Sequence, residues 1–373
     1  MNLKRANSFQ LDWMAVIIFT VLVIFGYFNI LSAAAAGEFV SYLDITKPYG
    51  KQLFFILSSV VLIILILSVD AKFYERFASI IYLGSILSLI GLFIFGKQIN
   101  SAISWYDLGG MTLQPSEFAK FATALALAKY ISDLQTNIKE QKDQIRAAAL
   151  VAIPAGLILL QNDAGSTLVF GSLFFVFYRE GIPQYYLLFT VFIMLLGIAT
   201  LKFSAISVCL ALFGILLIYQ LFFKRKKKKI RGVFAVLICS IGLCFGVQWA
   251  YNNVLQNHQQ DRIGLWLRLE KDPNKLQAMK RNISYNLNES EKAIRSGGTF
   301  GKGFMDGTRT KGKFVPEQHT DYIFSTVGEE WGFIGGSSVV ILFVMLILRI
   351  LYLSEQQKSQ FSRVYGYSVA SIL

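Results

Sequence analysis

From Trp13 to Ala33 the chain runs through 21 residues without one charged side chain. Crossing a bilayer as a helix takes about 20 such residues, because each backbone N–H and C=O must find its partner inside the segment. Similar apolar stretches follow at Leu53–Val69, Ile80–Phe95, Phe118–Ile131, Ala147–Leu160, Ser166–Tyr178, Tyr186–Leu201, Ala205–Phe223, Val233–Trp249 and Phe333–Leu353. An incomplete one begins near Val364 and is still running at Leu373. Such a series predicts an all-α fold, a polytopic helical membrane protein with about 11 spans visible and a single transmembrane domain over residues 1–373. The blocks are continuous, unlike the short alternating strands of a β-barrel. Trp13–Ala33 is too long, and too closely followed by more spans, for a cleaved signal peptide. Charged residues make up 16% of the chain, against roughly 25% in a soluble domain.

The net charge of +13 is placed unevenly. Lys and Arg collect at Lys4–Arg5, Lys72–Arg76, Lys129–Arg146, Arg179, Lys224–Arg231 and Arg349–Arg363. Threading the spans in order puts all of these on one side, which the positive-inside rule makes cytoplasmic, together with the N-terminus. "KRKKKKIR" at Lys224–Arg231 joins two adjacent spans, so it reads as a topogenic loop in contact with anionic lipid, with no nucleic acid as partner. Cys209, Cys239 and Cys244 lie in apolar segments without CxxC spacing and read as packing residues. No metal site is visible.

The same threading leaves one large extracytoplasmic loop, residues 252–320. From Asp261 to Glu317 it carries twelve Lys/Arg against seven Asp/Glu, an excess that the positive-inside rule does not ask for. Its second half, "RSGGTFGKGFMDGTRTKGKF", is rich in glycine. Glycines let backbone N–H groups approach an anion, and basic side chains add charge-assisted hydrogen bonds. This favours a surface for an anionic substrate; the alternative is a solvated loop whose glycines only make turns. Gly297, Gly298, Gly301 and Gly303 lack the ending of a nucleotide-binding P-loop.

Directly after that loop comes "PEQHTDYIFSTVGEEWGFIGG". Asp321 falls near the outer boundary of the bilayer, where a partly desolvated carboxylate suits a general base, and His319 lies two residues earlier. The alternatives are a helix N-cap for Asp321 or Thr320 and a loop histidine. Glu329 and Glu330 are expected deeper, as intramembrane acids that need partners; they either serve function or hold the bundle together. In "LQPSEFAK", Pro115 suits the first turn of a helix, and Glu117 and Lys120 are spaced to pair on one face. In "LLQNDAGSTLVF", Gln161 and Asp163 mark a tight outer turn, which a plain hairpin explains equally well.

"LGGMTLQPSEFAK", "QNDAGSTL", "SGGTFGKGFMDGT" and "FVPEQHTDYIFSTVGEEWGFIGG", in this order and spacing, closely resemble the signatures of the SEDS family (shape, elongation, division and sporulation). "GKGFMDGT" and "FVPEQHTD" look more like its RodA-like elongation branch than its FtsW-like division branch. The resemblance implies a multi-pass enzyme of the bacterial cytoplasmic (inner) membrane that polymerises lipid II into peptidoglycan glycan strands for cell shape and cell wall biogenesis. It puts the catalytic base on Asp321 and substrate contacts on Trp105, Asp163 and His319. The Glu–Lys pair of its Gln-Pro-Ser-Glu helix falls on Glu117 and Lys120. Lys302, Lys311, Lys313 or Arg309 would stabilise the leaving diphosphate. The implied partners are lipid II, a class B penicillin-binding protein transpeptidase and the elongation machinery. No cofactor is evident, and a divalent cation is left open. Rival readings are a lipid II flippase or transporter and an FtsW-type division polymerase. The chain departs from the pattern at Ser104, Asn162, Asn286 and Glu289, has two additional spans between Tyr186 and Phe223, and stops before the family's last helix, so that helix is expected beyond Leu373.

Overall fold

The computed structural model describes residues 11–35, 41–99, 102–107, 109, 112–222, 228–255, 257–267, 269 and 285–373. Lys4–Arg5, residues 224–227 of the basic run and residues 271–284 of the long loop lie outside the described residues. The chain divides into two compact units. The first is Met1–Pro183, Gly297–Gly312 and Gln318–Leu373; the second is Gln184–Ser296 and Lys313–Glu317.

The first unit opens with α1 (Trp13–Ala35), α2 (Pro48–Leu67) and α3 (Ala71–Phe95). A small antiparallel sheet follows, β1 (Lys97–Ile99), β2 (Ala102–Asp107) and β3 (Thr112–Leu113), in that spatial order. Next come α4 (Pro115–Ser132), α5 (Gln141–Leu160), α6 (Ala164–Gly171) and α7 (Phe174–Arg179). The second unit holds α8 (Gln184–Phe203), α9 (Ala205–Phe222), α10 (Lys228–Asn253), α11 (Asn257–Leu267) and α12 (Tyr285–Ser296). The chain then returns to the first unit with α13 (Thr308–Lys311), α14 (Ile323–Glu330), α15 (Gly332–Glu355) and α16 (Gln360–Ile372).

At the centre of the first unit lies α4, packed against α3, α5 and α16. Its Ala119, Ala122, Ala124 and Ala128 are fully buried, and small residues let neighbouring backbones approach closely. The opposite case is α2, where Leu57, Ile64 and Leu65 are about 60% exposed, as expected of a helix whose solvent is lipid. Among the described residues six helices are long and apolar enough to cross a membrane: α1, α2, α3, α5, α8 and α15. In the second unit α8, α9 and α10 pack on one another around Leu196, Ala205, Val208 and Cys244.

The three-stranded sheet lies between the apolar runs that become α3 and α4, and Tyr106 secures it by donating its hydroxyl to Ser88 O at 2.7 Å. One segment differs from the sequence reading. Ser166–Tyr178, expected as one span, breaks into α6 and α7. At the break the N–H groups of Ser172, Leu173, Phe175 and Val176 bond back three residues instead of four, and the Ser172 hydroxyl takes Val169 O at 2.7 Å. A Gly–Ser pair is a common place for such a change of helical winding.

Candidate functional site

The acids of the Pro316–Gly336 motif have unlike surroundings. Glu329 is completely buried at the end of α14. Its Oε1 accepts from Lys302 Nζ at 2.7 Å, Arg309 N–H at 2.9 Å and the Thr308 hydroxyl at 3.3 Å. Its Oε2 accepts from Thr310 N–H and the Thr310 hydroxyl, both at 2.9 Å. Burial pushes the Glu329 carboxyl up, but Lys302, the Arg309 and Thr310 amides and the Thr310 hydroxyl more than offset this and hold it at about 2. Glu330 is as buried, yet among the described residues it has only the Ser32 hydroxyl and Met305 N–H (3.2 Å) as donors, and no cation. Burial pushes it up; Ser32 and Met305 oppose this only in part, while Glu329 and Asp306 add to it.

These two residues fasten the glycine-rich segment with backbone as well as side chain. Lys302 N–H donates to Glu329 O and Gly303 N–H to Glu330 O, both at 3.0 Å; Phe333 N–H donates to Gly298 O at 2.9 Å. A Cβ on Gly297 would strike Gly328 O and Glu329, one on Gly301 would strike Glu330 O, and one on Gly332 would strike Gly301 N. Gly301 and Gly332 also have left-handed φ of +81° and +64°. These glycines therefore admit the motif's own backbone. The amides expected to face an anionic substrate at Gly301, Lys302 and Gly303 donate instead to protein carbonyls. Phe304 completes the attachment, its ring 5.9 Å from Phe28 and 6.3 Å from Trp331.

Asp321 is different. It is exposed, and its carboxylate has no hydrogen bond or ion pair among the described residues. It is not a cap either: the residue before α14 is Tyr322, without a side-chain capping bond. His319 is half-buried beside it in the chain. Gln318 is buried, and its Nε2 donates to Ala33 O at 2.8 Å and Thr310 O at 2.9 Å. Lys302 is engaged by Glu329 and by the Thr308 hydroxyl at 2.7 Å, whereas Lys311 makes an exposed pair with Asp306 at 2.9 Å. Lys313 belongs to the second unit.

At the start of α4, Glu117 and Lys120 pair at 2.7 Å as their spacing predicts, Glu117 the more exposed of the two. Half-buried Trp105 lies on β2, opposite Lys97. Ile103 N–H on β2 donates to Gln161 O at 3.0 Å, and Gln161 Nε2 donates to Leu89 O at 2.8 Å. Asp163 caps α6, accepting Ser166 N–H at 3.0 Å, the Ser166 hydroxyl at 2.8 Å and Gln114 Nε2 at 3.2 Å. Before it Asn162 has φ +63°, which a proline ring, fixed near −65°, could not adopt. Among the described residues no three His, Cys, Asp or Glu come together as metal ligands.

Sequence reasoning passed over Gln318, Thr310 and Ser32. Ser32 and Asn29 left a usable sign, polar side chains within an apolar run, both now buried. Gln318 left none, because a glutamine in a polar loop carries no pattern.

The chain is 30% identical over 354 residues to the peptidoglycan glycosyltransferase RodA of Treponema pallidum (strain Nichols), covering 88% of this chain and 78% of that protein. It is 25% identical over 360 residues to the peptidoglycan glycosyltransferase MrdB of Escherichia coli (strain K12), covering 96% and 78%. A chain of a peptidoglycan synthase complex that coordinates polymerization and crosslinking has the same fold, with TM-score 0.67, 23% identity and coverage of 98% and 84%. So does the Thermus thermophilus rod shape determining protein RodA, with TM-score 0.58, 21% identity and coverage of 98% and 83%. The profile of the FtsW/RodA/SpoVE cell cycle proteins matches residues 12–221 and 211–373; the chain belongs to this family, the SEDS family.

Proposed function

We propose that this chain is a peptidoglycan glycosyltransferase that polymerises lipid II during cell elongation, with Asp321 as its base. The relatives support the reaction class. The observation that carries the residue assignment is that Glu329 and Glu330 are buried and hydrogen-bonded, whereas Asp321 is exposed and has no partner among the described residues. In the proposed step Asp321 takes the proton of an acceptor sugar hydroxyl, whose oxygen attacks the anomeric carbon of the donor. The bond from that carbon to undecaprenyl diphosphate breaks with inversion, and the diphosphate leaves with the electron pair. Lys311 suits the departing charge better than Lys302: its exposed pair with Asp306 is weak and easily exchanged, whereas Lys302 is tied to a buried carboxylate. A divalent cation would come in with the diphosphate, and chelation by EDTA tests for it. Purified chain with lipid II tests the class: glycan polymer supports the reading, and lipid movement without polymer would make the chain a flippase.

The reading extends to membrane and partner. Multi-pass insertion with the N-terminus in the cytoplasm places Asp321 at the outer face, where the lipid-linked sugar lies. Cysteines replacing Lys227 and Lys292 test this in intact cells, an impermeant thiol reagent being expected to reach position 292 alone. A class B penicillin-binding protein is the proposed transpeptidase partner, expected to co-purify and to crosslink the strands made.

A further inference from the structure

Among the described residues Asp321 has no partner that would hold it in place, yet a base must be held within a fraction of an ångström of its proton. What fixes it lies on either side in the chain. Three residues earlier, buried Gln318 donates to Thr310 O and to Ala33 O, the latter in the last described turn of α1. Eight residues later, at the far end of α14, buried Glu329 accepts both the N–H and the hydroxyl of the same Thr310. The path Gln318–Asp321–Glu329 is thus closed into a ring through one residue of the glycine-rich segment, and Ala33 moors that ring to α1.

We infer that Gln318, acting with Thr310, is a positioning residue for the reaction: it closes a clasp that sets where Asp321 points. The inference rests on the proposed role of Asp321. Two features favour positioning over simple loop anchoring. Both Gln318 acceptors are backbone carbonyls on separate elements, so the amide fixes a location as well as a conformation. The segment it fixes has left-handed backbone at Lys313 (φ +51°) and Glu317 (φ +52°) just before it, so local chain preference does not set the course into Asp321.

The test is a kinetic cycle on the purified chain with lipid II. Gln318→Met keeps the volume and removes both donors; Thr310→Ser keeps every clasp bond and serves as the conservative control. Misplacing a catalytic group by about 1 Å can cost on the order of 100-fold, so Gln318→Met is expected to lower kcat about 10- to 100-fold with KM within about twofold, while Thr310→Ser stays near the parent. In an Asp321→Asn background, Gln318→Met should add almost nothing, because a residue acting through the base has nothing left to position. Parent kcat in a folded Gln318→Met protein would overturn the inference. So would a loss that multiplies fully onto that of Asp321→Asn, or one confined to KM. If Gln318→Met fails to fold, Thr310→Val, which removes one of the two donors to Glu329 Oε2, takes its place with the same criteria. A parent chain that makes no polymer, or an Asp321→Asn variant at full rate, sinks the proposed function itself and is seen before the cycle begins.

Discussion

Asp321 and Glu329 stand eight residues apart in one motif, and the fold treats them in opposite ways. Around Glu329 five donors converge on a side chain with no solvent contact. Around Asp321 there are none among the described residues, and the side chain is open. A carboxylate that is saturated with donors and held at about 2 is a poor proton acceptor and cannot be reached by a sugar. The cations and amides of the glycine-rich segment therefore answer two demands: part of them, led by Lys302, neutralises an acid of the protein itself, and only what stays exposed is free to meet a substrate. Glu330 makes the contrast finer. It is as buried as its neighbour but has no cation among the described residues, so burial raises its carboxyl where donors lower that of Glu329.

The largest effect that would break this contrast is on catalysis. Asp321→Asn should lower polymer formation from lipid II by about 10²–10⁴-fold, the usual contribution of a general base. Its melting temperature should stay at the parent value, since no bond is lost. Glu329→Gln comes next and reverses the pattern. Removing one side of a buried pair costs roughly 3–5 kcal/mol, and Lys302 keeps some exposure, so a loss of about 3 kcal/mol in unfolding free energy is expected. Unimpaired stability in that variant would mean the donors around Glu329 are incidental.

Glu330→Gln should cost within about 1 kcal/mol, because the amide oxygen still accepts one of the two hydrogen bonds. The two acids also differ in sign with pH. Glu329 is depressed from 4.5 to about 2, so its contribution is present above pH 4.5 and is lost as pH falls through 2. Glu330 is raised, so its contribution is greatest below pH 4.5 and declines as pH rises through its raised value. Melting curves against pH should show Glu329→Gln flattening the acid limb and Glu330→Gln flattening the other. The smallest effect belongs to Glu117 and Lys120, where Glu117 is over half exposed. Neutralising either should change stability by less than about 1 kcal/mol while lowering polymerisation, and a charge swap should restore part of the rate. Full activity in both single variants would leave the pair as a detail of the start of α4.

Much of this architecture follows from local pattern. The apolar runs at Trp13–Ala33, Leu53–Val69 and Phe333–Leu353 become α1, α2 and α15, because in lipid a backbone has few ways to satisfy its polar groups other than as a helix. Pro115 opens α4, and Glu117 pairs with Lys120, since both are properties of one helical turn. The family, too, was legible in "QPSEFAK" and "EQHTDYIFSTVGEE". Tertiary structure decided the rest: which apolar helix is lined with protein and which with lipid, that the glycines admit backbone, that Lys302 belongs to Glu329, and that Gln318 and Glu329 meet at Thr310. Such outcomes depend on atoms far apart in the chain: the bond from Gln318 to Ala33 O spans 285 residues and that from Ser32 to Glu330 spans 298. A sequence pattern reports the period of one element and the chemistry of one side chain; whether a carboxylate is saturated or free depends on which donors other segments bring to it.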